Sequence, residues 1–239
     1  MLRALNPGIL IDGMYGGLGG IESLPGSLIA LFDTVWAIPI DDPSYKWKNG
    51  DICVRWWFKE KGRDLSFSRL IVIEWDLLLL KPVAQVYGQL RDDCNYAAIF
   101  GDYAHVKEIE WWWLQGPYGH EVGRLLEQMQ TRGTVVSLEN LSFAVMGGCV
   151  LCRRFLELFA AEETVSGFSN DELRLSVYSA FFDIPLQDNQ FFKNPNNLFN
   201  ANNDEYGEKD LDTALMTGGV VIHPLRVVIN DIEKKFKPF

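Results

Sequence analysis

Apolar positions along this chain fall into short runs bounded by turn residues, alternating with longer stretches whose apolar residues recur at helical spacing. GILI (8–11) and VWAIPI (35–40) read as strands, the second closed by the turn residues DDPS. NGDICVRWWFKEKG (49–62) reads as a helix, with Ile52, Arg55, Trp56 and Lys59 at helical spacing. RLIVIEWDLLLL (69–80) gives the strongest strand signal, and NYAAIFGDY (95–103) gives another. GHEVGRLLEQMQTRG (119–133) predicts a helix ended by Gly133. LSFAVMGGCVL (141–151) predicts a strand running into the helix RRFLELFAAEE (153–163). SNDELRLSVYSAFF (169–182) predicts a further helix, and GGVVIHPLR (218–226) a late strand. Strands alternating with helices predict an α/β fold, with a mostly parallel central sheet flanked by helices in a single domain over 1–239. One segment breaks the rhythm. Residues 189–210 are rich in Asn, lack periodicity and are long for a loop, which predicts a mobile loop or lid.

Composition narrows the function classes. The net charge of −10 argues against a protein that grips a phosphate backbone, since that needs a basic face, and no nucleic-acid partner is expected. A nucleotide ligand stays open, because a bound cation can neutralise its phosphates. The four cysteines are too scattered for a disulfide framework, and CVLC lies in an apolar run, as buried thiols do. MLRALNPGILIDG lacks the pattern of a signal peptide, and no apolar run approaches membrane-spanning length. The expectation is a soluble cytoplasmic protein.

The chemistry begins inside the strongest strand signal. RLIVIEWDLLLLKPV has nine branched aliphatic residues, yet holds Glu74 and Asp76 at its centre. Buried carboxylates are costly unless paired, hydrogen-bonded or metal-bound. On a strand the two would share one face, about 7 Å apart, with Trp75 on the other. Two hard oxygen donors suit Mg²⁺ or Mn²⁺, which can in turn hold a diphosphate. The structural alternative is that each acid pairs with a nearby Arg or Lys. SNDE also reads two ways. Ser169 and Glu172 have the spacing of a capping box with Asp171 in the first helical turn, and either carboxylate has the chemistry to take a proton from a hydroxyl. His223, before Pro224, is either a satisfied core residue or a ligand.

A hydrophobic strand ending in acid–x–acid, followed by an apolar run and Pro, resembles the metal-binding motif of GT-A-fold glycosyltransferases. Glu74 stands where Asp is usual, a substitution that members of the broad superfamily tolerate. LSFAVMGGCVLCRR, SNDELRL and GGVVIHPLR resemble later segments of the same family in the same order, so the resemblance runs from Val35 to Arg226. It implies a GT-A-like, metal-dependent transfer of a sugar from a nucleotide-diphosphate-sugar donor to a hydroxyl acceptor such as a glycan. It implies that Glu74 and Asp76 hold Mn²⁺ or Mg²⁺ and the donor diphosphate, with His223 as a further metal ligand and Asp171 or Glu172 as catalytic base. Sugars stack on aromatic faces, and three consecutive tryptophans at 111–113 cannot all be buried on one face, so Trp112 and Trp113 are candidate substrate contacts. Trp56 and Trp57 read as core.

Two rival readings remain. A nucleotidyltransferase on a similar sheet would need a glycine-rich loop with Lys or Arg near the first strand, and the early glycines (LNPGILIDGMYGGLGG) fit neither G-x-G-x-x-G nor a P-loop. A non-catalytic relative that binds a glycan or a partner would keep the fold without the reaction.

Overall fold

The structure, a computed structural model, describes residues 2–40, 42–165, 167–200 and 206–225. In chain order its strands are β1 (Asp12–Tyr15), β2 (Thr34–Ala37), β3 (Arg69–Ile71), β4 (Leu78–Leu79), β5 (Asn95–Asp102), β6 (Ser142–Cys152), β7 (Leu186–Asp188), β8 (Leu198–Phe199) and β9 (Val221–His223). Its helices are α1 (Leu2–Leu5), α2 (Gly26–Ile29), α3 (Pro43–Lys48), α4 (Gly50–Glu60), α5 (Val83–Tyr87), α6 (Tyr103–Glu108), α7 (Gly116–Thr131), α8 (Arg153–Ala161), α9 (Asp171–Phe181) and α10 (Glu208–Thr217).

The fold is α/β, but its sheets are mixed, and this corrects the expected mostly parallel sheet. The four-stranded sheet has the order β3-β6-β5-β7, and only β5 and β7 run parallel. The alternation of strands and helices predicted the elements without fixing their direction. The long β6 lies between β3 and β5 and opposes both. A three-stranded sheet β4-β9-β8 pairs β4 with β9 antiparallel and β8 with β9 parallel. A separate parallel pair, β1 and β2, forms the front edge. GILI itself is not a strand. The ladder starts one residue later, at Asp12, where Asp33 Oδ2 accepts the Ile11 N–H at 2.7 Å. Asp12 also ties the front pair to α4, accepting from Trp57 Nε1 at 3.2 Å.

The strand predicted over 69–80 breaks in the middle, a second correction. Val72 still follows the ladder, donating to the Cys149 carbonyl at 2.9 Å and accepting from Gly148 N at 2.8 Å. At Gly147–Gly148, however, β6 shifts register against β5, and Gly148 takes a left-handed backbone with φ near 77°. Opposite the shift the chain leaves the sheet, turns through Glu74–Leu77 with Leu77 N donating to the Glu74 carbonyl at 3.1 Å, and enters the other sheet as β4. The two acids therefore sit on a turn and not on a strand.

The bulge also swaps the faces of β6. Before it, Ala144 and Met146 pack toward α4, α7, α8 and α9 while Val145 packs on the opposite side; after it, Cys149 and Leu151 face the helices and Val150 the opposite side. The four expected helices, α4, α7, α8 and α9, form because each presents an apolar stripe to this core, such as Val122, Leu125 and Met129 on α7, which ends before Gly133 at φ 83°. The second core, with Leu77, Tyr87, Phe191, Phe199 and Val221, takes in the first part of the 189–210 segment predicted as a lid. Residues 201–205 of that segment lie outside the described residues. Among the described residues no helix is long and apolar enough to cross a membrane.

Candidate functional site

The C-terminal ends of β1 and β2, the 74–77 turn, the N-terminus of α9 and the end of β9 converge on a cavity of about 1060 Å³. All seven residues singled out in the sequence line it: Glu74, Asp76, Trp112, Trp113, Asp171, Glu172 and His223.

Glu74, Asp76 and His223 offer ligand atoms that all lie within 4.8 Å of one another. His223 Nε2 is 3.3 Å from Glu74 Oε2 and 3.8 Å from Asp76 Oδ1. Its other nitrogen, Nδ1, lies 3.1 Å from the Asn200 carbonyl, which can only accept, so Nδ1 carries a proton and Nε2 is the nitrogen that faces the acids. Asp76 is buried, while Glu74 is open to the cavity. Burial alone would pull the His223 pKa down. The Glu74 carboxylate, with Asp76 and the Asn200 carbonyl, outweighs it and raises the pKa. Two carboxylate oxygens and one imidazole nitrogen, opening on a cavity wide enough for further ligands, fit a six-coordinate divalent cation such as Mn²⁺ or Mg²⁺.

Gly147 makes this arrangement possible. A β-carbon there would stand 2.6 Å from Glu74 Oε2, so only glycine lets the carboxylate lie over the strand.

At α9 the structure revises the capping pattern. The N-cap is Asn170, not Ser169. Asn170 Oδ1 accepts from Leu173 N at 3.3 Å, and its Nδ2 donates to Glu172 Oε2 at 2.9 Å. Ser169 instead takes a left-handed backbone, φ 63°, and its N–H donates to Glu121 Oε2. The helix end is fixed by the fully buried Arg174, whose guanidinium makes two bonds to Asp51, at 2.6 and 2.9 Å. It also donates to the carbonyls of Lys48 and Ser169 and to Asn49 Oδ1. This network locks the α3–α4 junction to the start of α9.

The two acids of α9 then differ. Asp171 is buried, and its Oδ2 accepts from Gly50 N at 2.9 Å. Burial, with Asp51 and Glu172 nearby, pushes its pKa well above the ordinary carboxylate range despite Arg174. Glu172 is half-buried, and burial, aided by Glu74, pushes its pKa up to about 7 against the bond from Asn170 and the charge of His223.

The aromatic wall is a stack. Trp112 and Trp113 have ring centroids 4.0 Å apart, and Trp47 stacks on Trp112 at 5.5 Å. Trp113 is 3% exposed and supports the stack from behind, whereas Trp112 is 43% exposed. Trp111 packs edge-on against Phe143 and Phe100. Trp57 is core, as expected, and Trp56 stacks on Tyr45.

Sequence reasoning passed over Asn170, Gly147 and Trp47. The paired glycines in the middle of an apolar strand were the available signal for Gly147. Asn170 was legible as a helix-capping type beside Ser169. Met14, Tyr15, Gly16, Gly17 and Ile38 also line the cavity, so the early glycine cluster does approach it. The described lining residues include neither Lys nor Arg.

No family model matches this chain, and comparison with curated proteins finds no match either.

Proposed function

We propose that the chain is a metal-dependent glycosyltransferase of GT-A type, moving a sugar from a nucleotide-diphosphate-sugar donor to a hydroxyl acceptor. The observation that carries this reading is the convergence of Glu74, Asp76 and His223 within 4.8 Å, in the cavity that Glu172 also lines. Mn²⁺ or Mg²⁺ held by these three side chains would supply Lewis-acid stabilisation of the leaving diphosphate. The lack of Lys and Arg among the described lining residues makes such a cation the available counter-charge for a diphosphate, and weighs against a nucleotidyltransferase.

Glu172 is better suited than Asp171 to take the acceptor proton. Asp171 is buried and committed to Gly50 N, whereas Glu172 reaches the cavity with a pKa near 7 and one oxygen held by Asn170. A base poised near neutral pH is the kind that general-base catalysis favours. The front pair β1–β2 brings Met14–Gly17 and Ile38 to the same cavity, where a nucleoside would find backbone and apolar contacts.

The test is thermal stability with a panel of nucleotide sugars, with and without Mn²⁺, for the wild type and Asp76→Ala. A ligand that binds the folded state stabilises it by RT ln(1 + [L]/Kd). A cation-dependent rise in melting temperature with one nucleotide sugar, lost in Asp76→Ala, supports the reading. No rise with any of them in the wild type sinks it.

A further inference from the structure

The transferase reading leaves the acceptor unnamed, and the cavity rim restricts it. Trp75 is 82% exposed, Trp47 66% and Trp112 43%, and all three line the one cavity. Indoles on a surface lose the stabilisation of burial, and exposed aromatic groups gathered at one mouth mark a surface that something covers. The Trp47–Trp112–Trp113 stack is also built to stay in place. Tyr118 meets Trp113 edge-on at 4.7 Å, Lys48 Nζ lies 5.8 Å from the Trp113 ring, and Lys48 is itself held by Glu121 at 2.6 Å. A pre-organised aromatic face loses little side-chain freedom when a ligand arrives.

We infer that Trp47, Trp75 and Trp112 form the acceptor platform of the proposed transferase and that the acceptor is a neutral carbohydrate. The C–H face of a pyranose ring stacks on indole, and its hydroxyls hydrogen-bond to carboxylates such as Glu172. Charge selects among glycans. The described lining holds four acids, Glu74, Asp76, Asp171 and Glu172, and neither Lys nor Arg, so it offers no Lys or Arg partner to a sulfate, sialate or phosphate and such glycans are disfavoured. This assignment rests on the transferase reading only for calling the bound sugar an acceptor.

The test is a glycan array carrying neutral, sialylated and sulfated glycans, probed with the wild type, Trp47→Ala, Trp75→Ala and Trp75→Phe, each in EDTA and in Mn²⁺. Binding to neutral glycans is expected in both buffers. Each Ala variant should weaken it at least tenfold, and Trp75→Phe should retain most of it. Both substituted positions are on the surface, so unchanged melting temperatures will separate lost binding from lost folding. No bound neutral glycan, a preference for acidic ones, or indifference to the substitutions would overturn the assignment. Parallel nucleotide-sugar melts keep the two readings distinct. Glycan binding without any nucleotide-sugar effect leaves the platform standing and removes the transferase, and the reverse pattern removes the platform alone.

Discussion

The Glu74 carboxylate lies across Gly147, so close that a β-carbon at that glycine would stand 2.6 Å from Oε2. The bulge in β6 thus does two things: it ejects the 74–77 turn from the sheet, and it leaves room for the acid to turn toward His223. Gly147→Ala should push Glu74 out of the cluster without unfolding the chain, since Gly147, unlike Gly148, has no positive φ. We expect Mn²⁺ affinity to fall at least tenfold, equivalent to about 1.4 kcal/mol, with cooperative melting retained. Isothermal titration measures this directly, and an unchanged affinity would show that Glu74 is not held by that glycine.

Arg174 and Asp51 form the buried ion pair that sets the start of α9, and Arg174 is fully buried. Removing one partner of such a pair leaves a stranded charge, at a cost of about 3–5 kcal/mol. Arg174→Met should therefore lower the melting temperature by about 10 °C, given roughly 2–4 °C per kcal/mol for a chain of this size. Asp51→Leu combined with Arg174→Met should be less destabilised than the two single changes added together. Strict additivity in denaturant melts would rule out the coupling.

Stability should depend on pH through Glu172. Its pKa is about 7 in the folded protein against an ordinary 4.5, so the folded state binds the proton more tightly than the unfolded chain. That contribution is full below about pH 4.5 and is lost as pH rises toward and through 7. Asp171 and His223, whose pKa values are also raised, act in the same direction. In metal-free buffer, Glu172→Gln should gain stability relative to the wild type as pH rises from 5 to 8, by up to about 3 kcal/mol. Parallel melting curves across that range would contradict the raised pKa.

The longer helices α4, α7, α8 and α9 were legible because each needs only a local apolar stripe, whereas α1, α2, α3, α5 and α6, of four to six residues, are too short to show one, and α10 was not read from the sequence either. Strand direction was not, because whether β6 opposes β3 and β5 depends on contacts far apart in sequence. The cluster was legible for a reason partly different from the one assumed. Strand alternation would put Glu74 and Asp76 on one face, whereas a turn opposite a glycine bulge brings them together. His223 was singled out by the resemblance of its segment, GGVVIHPLR, to a known family, but its orientation comes from the Asn200 carbonyl, which no local pattern announces. Arg174 resembled any helical Arg, and only the fold reveals that its guanidinium is spent on Asp51, Asn49 and three backbone carbonyls.

The central claim is that Glu74, Asp76 and His223 together hold one divalent cation. Mn²⁺ titration followed by electron paramagnetic resonance, on the wild type, Asp76→Ala and His223→Ala, tests it most directly. The account predicts one Mn²⁺ per chain in the wild type, none bound specifically in Asp76→Ala, and at least tenfold weaker binding in His223→Ala. Absence of specific Mn²⁺ binding by the wild type, or binding that survives both substitutions, would contradict it.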